Sequence, residues 1–191
     1  MLRIRKVADA TTAVNRAAIE AAQKIMREQF SLMPDYDIAK LPDQLSNPLK
    51  HRFVSRLFVA ENAHDQTVGV ALLLYAPDIG FSYLEIISTA LGRTGRGIGA
   101  TLYERVREEA RALGTQLYFE SLPDDPALSP NPEIRASNAN RLKFYERYGA
   151  RPIINTAYET PIKPGQNDPP YLLLDPLGSN DLPSRDMVRK V

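Results

Sequence analysis

The residues best placed to do chemistry lie in Leu91-Gly92-Arg93-Thr94-Gly95-Arg96-Gly97-Ile98-Gly99-Ala100, where Gly95, Gly97 and Gly99 alternate just before a helical apolar pattern. Glycine removes the side chains that would obstruct a row of backbone amides. The first turn of a helix leaves its N–H groups unpaired and pointing outward. With the helix dipole and Arg96 or Arg93 adding positive potential, such a turn can cradle a pyrophosphate. A plain glycine-rich turn is the competing reading. Two other phosphate motifs fail on their own requirements. A P-loop needs Lys then Ser or Thr after the last glycine, where Ala100-Thr101 stand. A dinucleotide-binding unit needs the loop after the first strand of a parallel βαβ unit, whereas this one follows three sequence-adjacent strand patterns.

A second constellation is Asn138 and Tyr145. Seven residues apart on a helix, they share a face at about 10.5 Å separation and could touch two points of one extended ligand. Core packing for Tyr145 and helix capping for Asn138 stay open as alternatives. Other chemistries are excluded by composition. Cysteine is absent, which removes disulfides and thiolate chemistry, and His51 and His64 lack metal-ligand spacing, so no metal is expected. With 24 basic and 23 acidic residues the formal charge is +1, which gives no broad field for nucleic acid or anionic lipid. No apolar run is long enough to cross a membrane and the N-terminus has no signal-peptide core, so a cytoplasmic protein is expected.

The elements that must position these residues follow from periodicity. Leu2, Ile4 and Val7 predict a first strand, and Val14, Ala18, Ala21 and Ile25 an amphipathic helix over residues 12–30. The prolines between Ser31 and Arg52 predict an irregular connection, with a short helix as an option, that could shape a substrate site. Runs at Arg56–Glu61, Thr67–Ala76 and Phe81–Thr89 predict an antiparallel meander. Ile98, Leu102, Val106, Ala110 and Leu113 predict a helix ending at Gly114. A strand is expected at Gln116–Leu122, a proline-laden loop at Pro123–Glu133, a helix around Asn138–Tyr148, and strands at Ile153–Thr160 and Tyr171–Leu174. These give an α/β (α+β) fold, a mixed and mainly antiparallel sheet of six to seven strands with helices on both faces.

The glycine segment resembles the signature of the GNAT superfamily of N-acetyltransferases: Gln or Arg, two variable residues, Gly, one variable residue, and Gly or Ala. Here that register reads Thr94-Gly95-Arg96-Gly97-Ile98-Gly99, with Thr94 departing from the first position and Arg93 one residue early. The run Ser137-Asn138-Ala139-Asn140-Arg141-Leu142-Lys143-Phe144-Tyr145 is similar to the family's second cofactor-contacting helix, which often has Ala where Arg141 stands. The resemblance implies a GNAT-like domain over residues 1–176 that binds acetyl-coenzyme A. Backbone N–H groups from Thr94 to Ala100 would hold its pyrophosphate. Ile87, Ser88 and Thr89 would bond its pantetheine arm, one N–H there serving as oxyanion donor, and Asn138 and Arg141 would contact the pantetheine or phosphates. The Tyr145 hydroxyl would lie near the sulfur as general acid.

For the general base the expectation is Glu85, a carboxylate inside an apolar strand and on the face of Ile87 by period-two alternation. Glu120 is second and a water chain third. The implied reaction moves an acetyl group to a primary amine of a small molecule or protein. A non-catalytic acyl-coenzyme A sensor is the alternative and would need neither Tyr145 nor Glu85. Acidic residues at Asp35, Asp37, Asp43, Asp124 and Asp125 would suit a cationic amine. The polar segment 177–191 is read as a tail, with a further domain beyond it or a partner domain left open. A homodimer is equally open.

Overall fold

Alternation at the N-terminus produces β1 (Arg3–Val7), and the Thr12 hydroxyl then accepts from the Asn15 N–H at 3.1 Å. That cap starts α1 (Ala13–Gln29), whose Ala18, Ile19, Ala22, Ile25 and Met26 form one buried stripe. These elements belong to a computed structural model that describes residues 2–93, 97–155, 158, 169–179 and 183–189. The chain divides into two compact units, Met1–Thr115 and Gln116–Val191.

The first unit contains the expected meander: β1, β2 (Val54–Glu61), β3 (Thr67–Ala76) and β4 (Phe81–Thr89) pair antiparallel in that order. Asn62 closes the β2–β3 hairpin by accepting from the N–H groups of His64 and Gln66, at 2.9 and 3.1 Å. Along β3 successive side chains alternate between faces. Val70 and Leu72 join Val7, Leu57, Val59, Ile86 and the α1 stripe in one core. Gly69, Ala71 and Leu73 face the other way, where α5 (Ile98–Ala112) packs, Ile98 and Leu102 directly over Gly69. Helices therefore cover both faces of this unit, as the patterns predict.

The far end of α5 is held by charge. The buried Glu109 carboxylate accepts from Lys6 at 3.0 Å, from Arg105 at 2.6 Å, and from Arg56, which ties α5 to β1 and β2. The connection from Ser31 to Arg52 is more regular than its prolines suggest. It winds into α2 (Asp35–Ala39), α3 (Leu41–Ser46) and α4 (Pro48–His51), because Ile38, Leu41 and Leu45 are drawn into the α1-side core.

In the second unit β5 (Leu117–Ser121) and β6 (Arg151–Pro152) each pair antiparallel with β7 (Tyr171–Asp175). The helix expected near Asn138 begins earlier. Asn131 accepts from the N–H groups of Glu133 and Ile134, at 2.9 and 3.1 Å, so Pro132 takes the first position of α6 (Pro132–Glu146). The strand expected over Ile153–Thr160 is not formed at its start: β6 ends at Pro152, the Ile153 N–H makes one further bond to Leu172 O at 2.8 Å, and Asn155 turns to φ +59°, while residues 156, 157, 159 and 160 lie outside the described residues. A short α7 (Arg185–Val188) follows a Ser184 cap. Among the described residues, seven strands and their helices make the expected mixed, mainly antiparallel α/β fold. No helix among the described residues is long and apolar enough to cross a membrane.

Candidate cofactor and active site

At the end of β4 the Ala90 N–H reaches back to Val68 O at 3.0 Å and the Arg93 N–H to Ala90 O at 3.1 Å, with Gly92 at φ +71°. Thr94, Gly95 and Arg96 lie outside the described residues. The chain re-enters at Gly97, whose φ of +75° is strained for any other residue, and Ile98 opens α5. The first bond into the helix is from Thr101 N–H to Gly97 O, at 3.0 Å. The N–H groups of Ile98, Gly99 and Ala100 thus have no acceptor within the helix. Thr12 caps α1 and Asn131 caps α6, yet among the described residues α5 has no side-chain cap, and its first turn has no acidic residue. A side chain at Gly99 would meet nothing within 4 Å, so packing alone does not require glycine there. The result is a row of amides without helical acceptors at the positive end of a helix four turns long.

The strand leading into this loop is kinked. Leu84 pairs with Leu73 and Ile86 with Leu72, so Glu85 is an extra residue, a β-bulge, and its side chain is exposed. Leu72 and Leu73 point to opposite faces, so period-two alternation does not run through the bulge. Alternation along β4 therefore does not by itself set the face of Glu85 relative to Ile87. The apparent cost of a carboxylate inside an apolar strand also disappears, since the bulge carries it to solvent. Ile87, Ser88 and Thr89, opposite Ala71, Val70 and Gly69, are partly buried and run straight into the loop.

In the second unit Asn138, Leu142 and Tyr145 form the buried face of α6. Asn138 lies within the helix and is not its cap. Its Nδ2 donates to Pro123 O at 2.8 Å, pinning the chain just after β5. The Tyr145 ring packs on Phe119 of β5 at 4.5 Å between centroids and edge-on against Phe144 at 5.1 Å. Burial pushes the Tyr145 hydroxyl up to about 12, against a smaller opposing pull from the Arg141 charge. Arg141 itself is exposed. Glu120, the second candidate base, is exposed on β5 and accepts from the Tyr158 hydroxyl.

The acidic residues of the α1–β2 connection are already occupied. Asp35 pairs with Arg27, Asp37 with Lys40, and Asp43 with Lys50 and His51, at 2.5 to 2.9 Å. They do not present the uncompensated negative surface that would draw a cationic amine. Asp125 is spent on a turn, accepting from the Ala127 N–H at 2.7 Å. Among residues the sequence reading passed over, Gly69 stands out, because it brings Ser88 and Ile98 together. A lone glycine within a strand pattern is the available signal of such close approach.

No family model matches the chain, and no curated protein matches it by sequence. Solved structures do. An aminoglycoside 6'-N-acetyltransferase complexed with coenzyme A superposes with a TM-score of 0.67 at 15% identity, covering 95% of this chain and 99% of that one. A GNAT-family acetyltransferase from Staphylococcus aureus Mu50 gives 0.58 at 18% identity, covering 93% and 99%. The dodecameric spermidine N-acetyltransferase from Vibrio cholerae gives 0.62 at 17% identity, covering 91% and 92%. With its meander, its glycine-edged α5 and its second cap-started helix α6, the chain has the fold of the GNAT acetyltransferases.

Proposed function

We propose that the protein is an N-acetyltransferase that uses acetyl-coenzyme A to acetylate a primary amine of a small molecule or protein. The observation that carries this reading is the start of α5: in a GNAT fold, among the described residues its amides have no side-chain cap and its first turn no acidic residue, and a Cβ at Gly99 would meet nothing within 4 Å. Those features fit a diphosphate. Bound acetyl-coenzyme A would supply an activated thioester carbonyl for a neutral amine to attack.

The chain's own residues then have separable tasks. The N–H groups from Gly97 to Ala100, with Thr94, Gly95 and Arg96, hold the diphosphate. Backbone groups of Ile87, Ser88 and Thr89 bond the extended arm, and an N–H among them donates to the carbonyl oxygen. Asn138 and Arg141 contribute to the same ligand from α6. Glu85, exposed at the bulge, takes the proton of the attacking amine. Tyr145 keeps its proton. Burial raises its hydroxyl to about 12, so the phenol stays protonated at neutral pH and is a weaker acid than an ordinary thiol. Its task is to donate a hydrogen bond to the departing sulfur. Two structural neighbours named for amine acetylation, the aminoglycoside and spermidine enzymes, support an amine acceptor. The dodecameric state of the latter supports self-association, which light scattering would test as a homodimer or larger.

The test is a thiol-release assay with acetyl-coenzyme A against a panel of polyamines, aminoglycosides and lysine peptides. Turnover on at least one amine, reduced in Glu85→Gln and Tyr145→Phe, supports the reading. Tight coenzyme binding without turnover on any amine would favour the acyl-coenzyme A sensor instead.

A further inference from the structure

Gly69 is a glycine that its own backbone does not require, for its φ is not positive. It lies buried on β3, opposite Thr89 of β4 and beneath the first turn of α5. A Cβ at this position would stand 2.8 Å from Ile98 Cγ2, 3.0 Å from Leu102 Cδ1 and 3.2 Å from the Ser88 carbonyl oxygen. The first two atoms belong to the helix whose amides are proposed to hold the diphosphate. The third is backbone of the strand proposed to hold the pantetheine arm. A contact of 2.8 Å is not sustained between carbon atoms, so an added methyl must displace the Ile98 and Leu102 side chains, or the first turn of α5 that carries them, and ease the Ser88 peptide away by a few tenths of an ångström.

We infer that Gly69 is a positioning residue for coenzyme binding: its missing side chain sets how closely the first turn of α5 sits on β3 and β4, and so the span between diphosphate cradle and strand edge. The inference rests on the acetyl-coenzyme A reading. It gives Gly69 no contact with the ligand. The other end of α5 is tied to β1 and β2 by Glu109 through Lys6 and Arg56, so the displacement is expected at the cradle end, where a shift of ~1 Å can cost up to about a hundredfold in rate.

The experiment is calorimetric titration of coenzyme A into the wild type, Gly69→Ala and Val106→Ala. Val106 is fully buried on the same helix, about one turn beyond Leu102 and away from the cradle, and it controls for general loss of stability. Gly69→Ala is expected to weaken coenzyme binding about tenfold or more, while Val106→Ala, with an equal or greater fall in Tm, stays within about twofold of wild type. Gly69→Ala binding as tightly as wild type, or Val106→Ala weakening it equally, overturns the inference. If Gly69→Ala cannot be purified, Gly69→Ala/Leu102→Ala is compared with Leu102→Ala alone, and equal binding by the two overturns it. A wild type that binds no coenzyme A refutes the proposed function itself, and this inference with it.

Discussion

Placing aspartate at Gly99 separates the fold's needs from the ligand's. Gly99 is the second residue of α5, has no positive φ, and has open space where a Cβ would go. The substitution therefore introduces no clash. Aspartate is a slightly better helix former than glycine, by about 0.3 kcal/mol, and a carboxylate in the first turn of a helix gains about 0.3–1 kcal/mol from the dipole. Stability should rise by about 1 kcal/mol, which for a chain of this size raises Tm by about 2–4 °C. Coenzyme binding should move the other way. The new carboxylate occupies the amides that a diphosphate would use, and losing one charge-assisted hydrogen bond costs about 1.5–3 kcal/mol, or about tenfold to a hundredfold in Kd. Differential scanning calorimetry and titration with coenzyme A read the two effects on one sample. Pantetheine, which carries no phosphate, serves as the ligand control and should bind both proteins alike. A Gly99→Asp protein that is more stable yet binds coenzyme A unchanged would refute the argument that these amides hold the diphosphate.

Three further outcomes are expected. Tyr145→Phe keeps the packing on Phe119 and Phe144 and should fold with wild-type stability, while kcat falls about tenfold to a hundredfold with little change in KM. With the hydroxyl at about 12, no limb of the wild-type pH–rate profile below pH 10 should vanish in that variant, and finding one would contradict the hydrogen-bond role. Glu85→Gln, at an exposed bulge, should leave Tm within about 2 °C and lower kcat/KM at least about tenfold; unaltered kinetics would remove Glu85 as base. Glu109 is raised by burial but held below the ordinary carboxylate value of 4.5 by its bonds from Lys6 and Arg56. Its folded pKa being depressed, its contribution is present above about pH 4.5 and is lost as pH falls through the folded value. Glu109→Gln should flatten that part of the acid-unfolding curve and cost about 3 kcal/mol at pH 7, the low end for a broken buried pair because the cations left behind reach water. Urea titrations at pH 7 and pH 4 provide the measurement.

What the sequence disclosed and what it withheld divide along the range of the forces involved. The meander was legible because β2, β3 and β4 are neighbours in sequence, and the turns at Asn62 and Gly80 announce themselves by residue type. Phe81–Thr89 emerged with its bounds intact. The stripe from Ile98 to Leu113 and the glycine stop after it were equally local. The bulge at Glu85 was not, since a register shift is decided by the partner strand and leaves no mark on the alternation of the bulged one. Asn131 was overlooked as the start of α6 because Pro132, read as a loop residue, also suits the first position of a helix. The acidic residues near α2–α4 read as a surface charge, but their partners are Arg27, Lys40, Lys50 and His51, and only the folded connection pairs them. The same holds for Asn138, whose tie to Pro123 depends on α6 lying against β5.

The kink in β4 has one more consequence. With Leu84 facing Leu73 and Ile86 facing Leu72, the two flanking residues would be consecutive rungs of an ordinary ladder if Glu85 were simply excised. Every other pairing in the strand would survive, including the register that sets the Ser82 hydroxyl 2.6 Å from that of Thr115. The scaffold is therefore complete at eight residues and carries a ninth. The ladder pairing itself does not require Glu85; what the ninth residue adds is an outward bend of the peptide and a carboxylate at solvent.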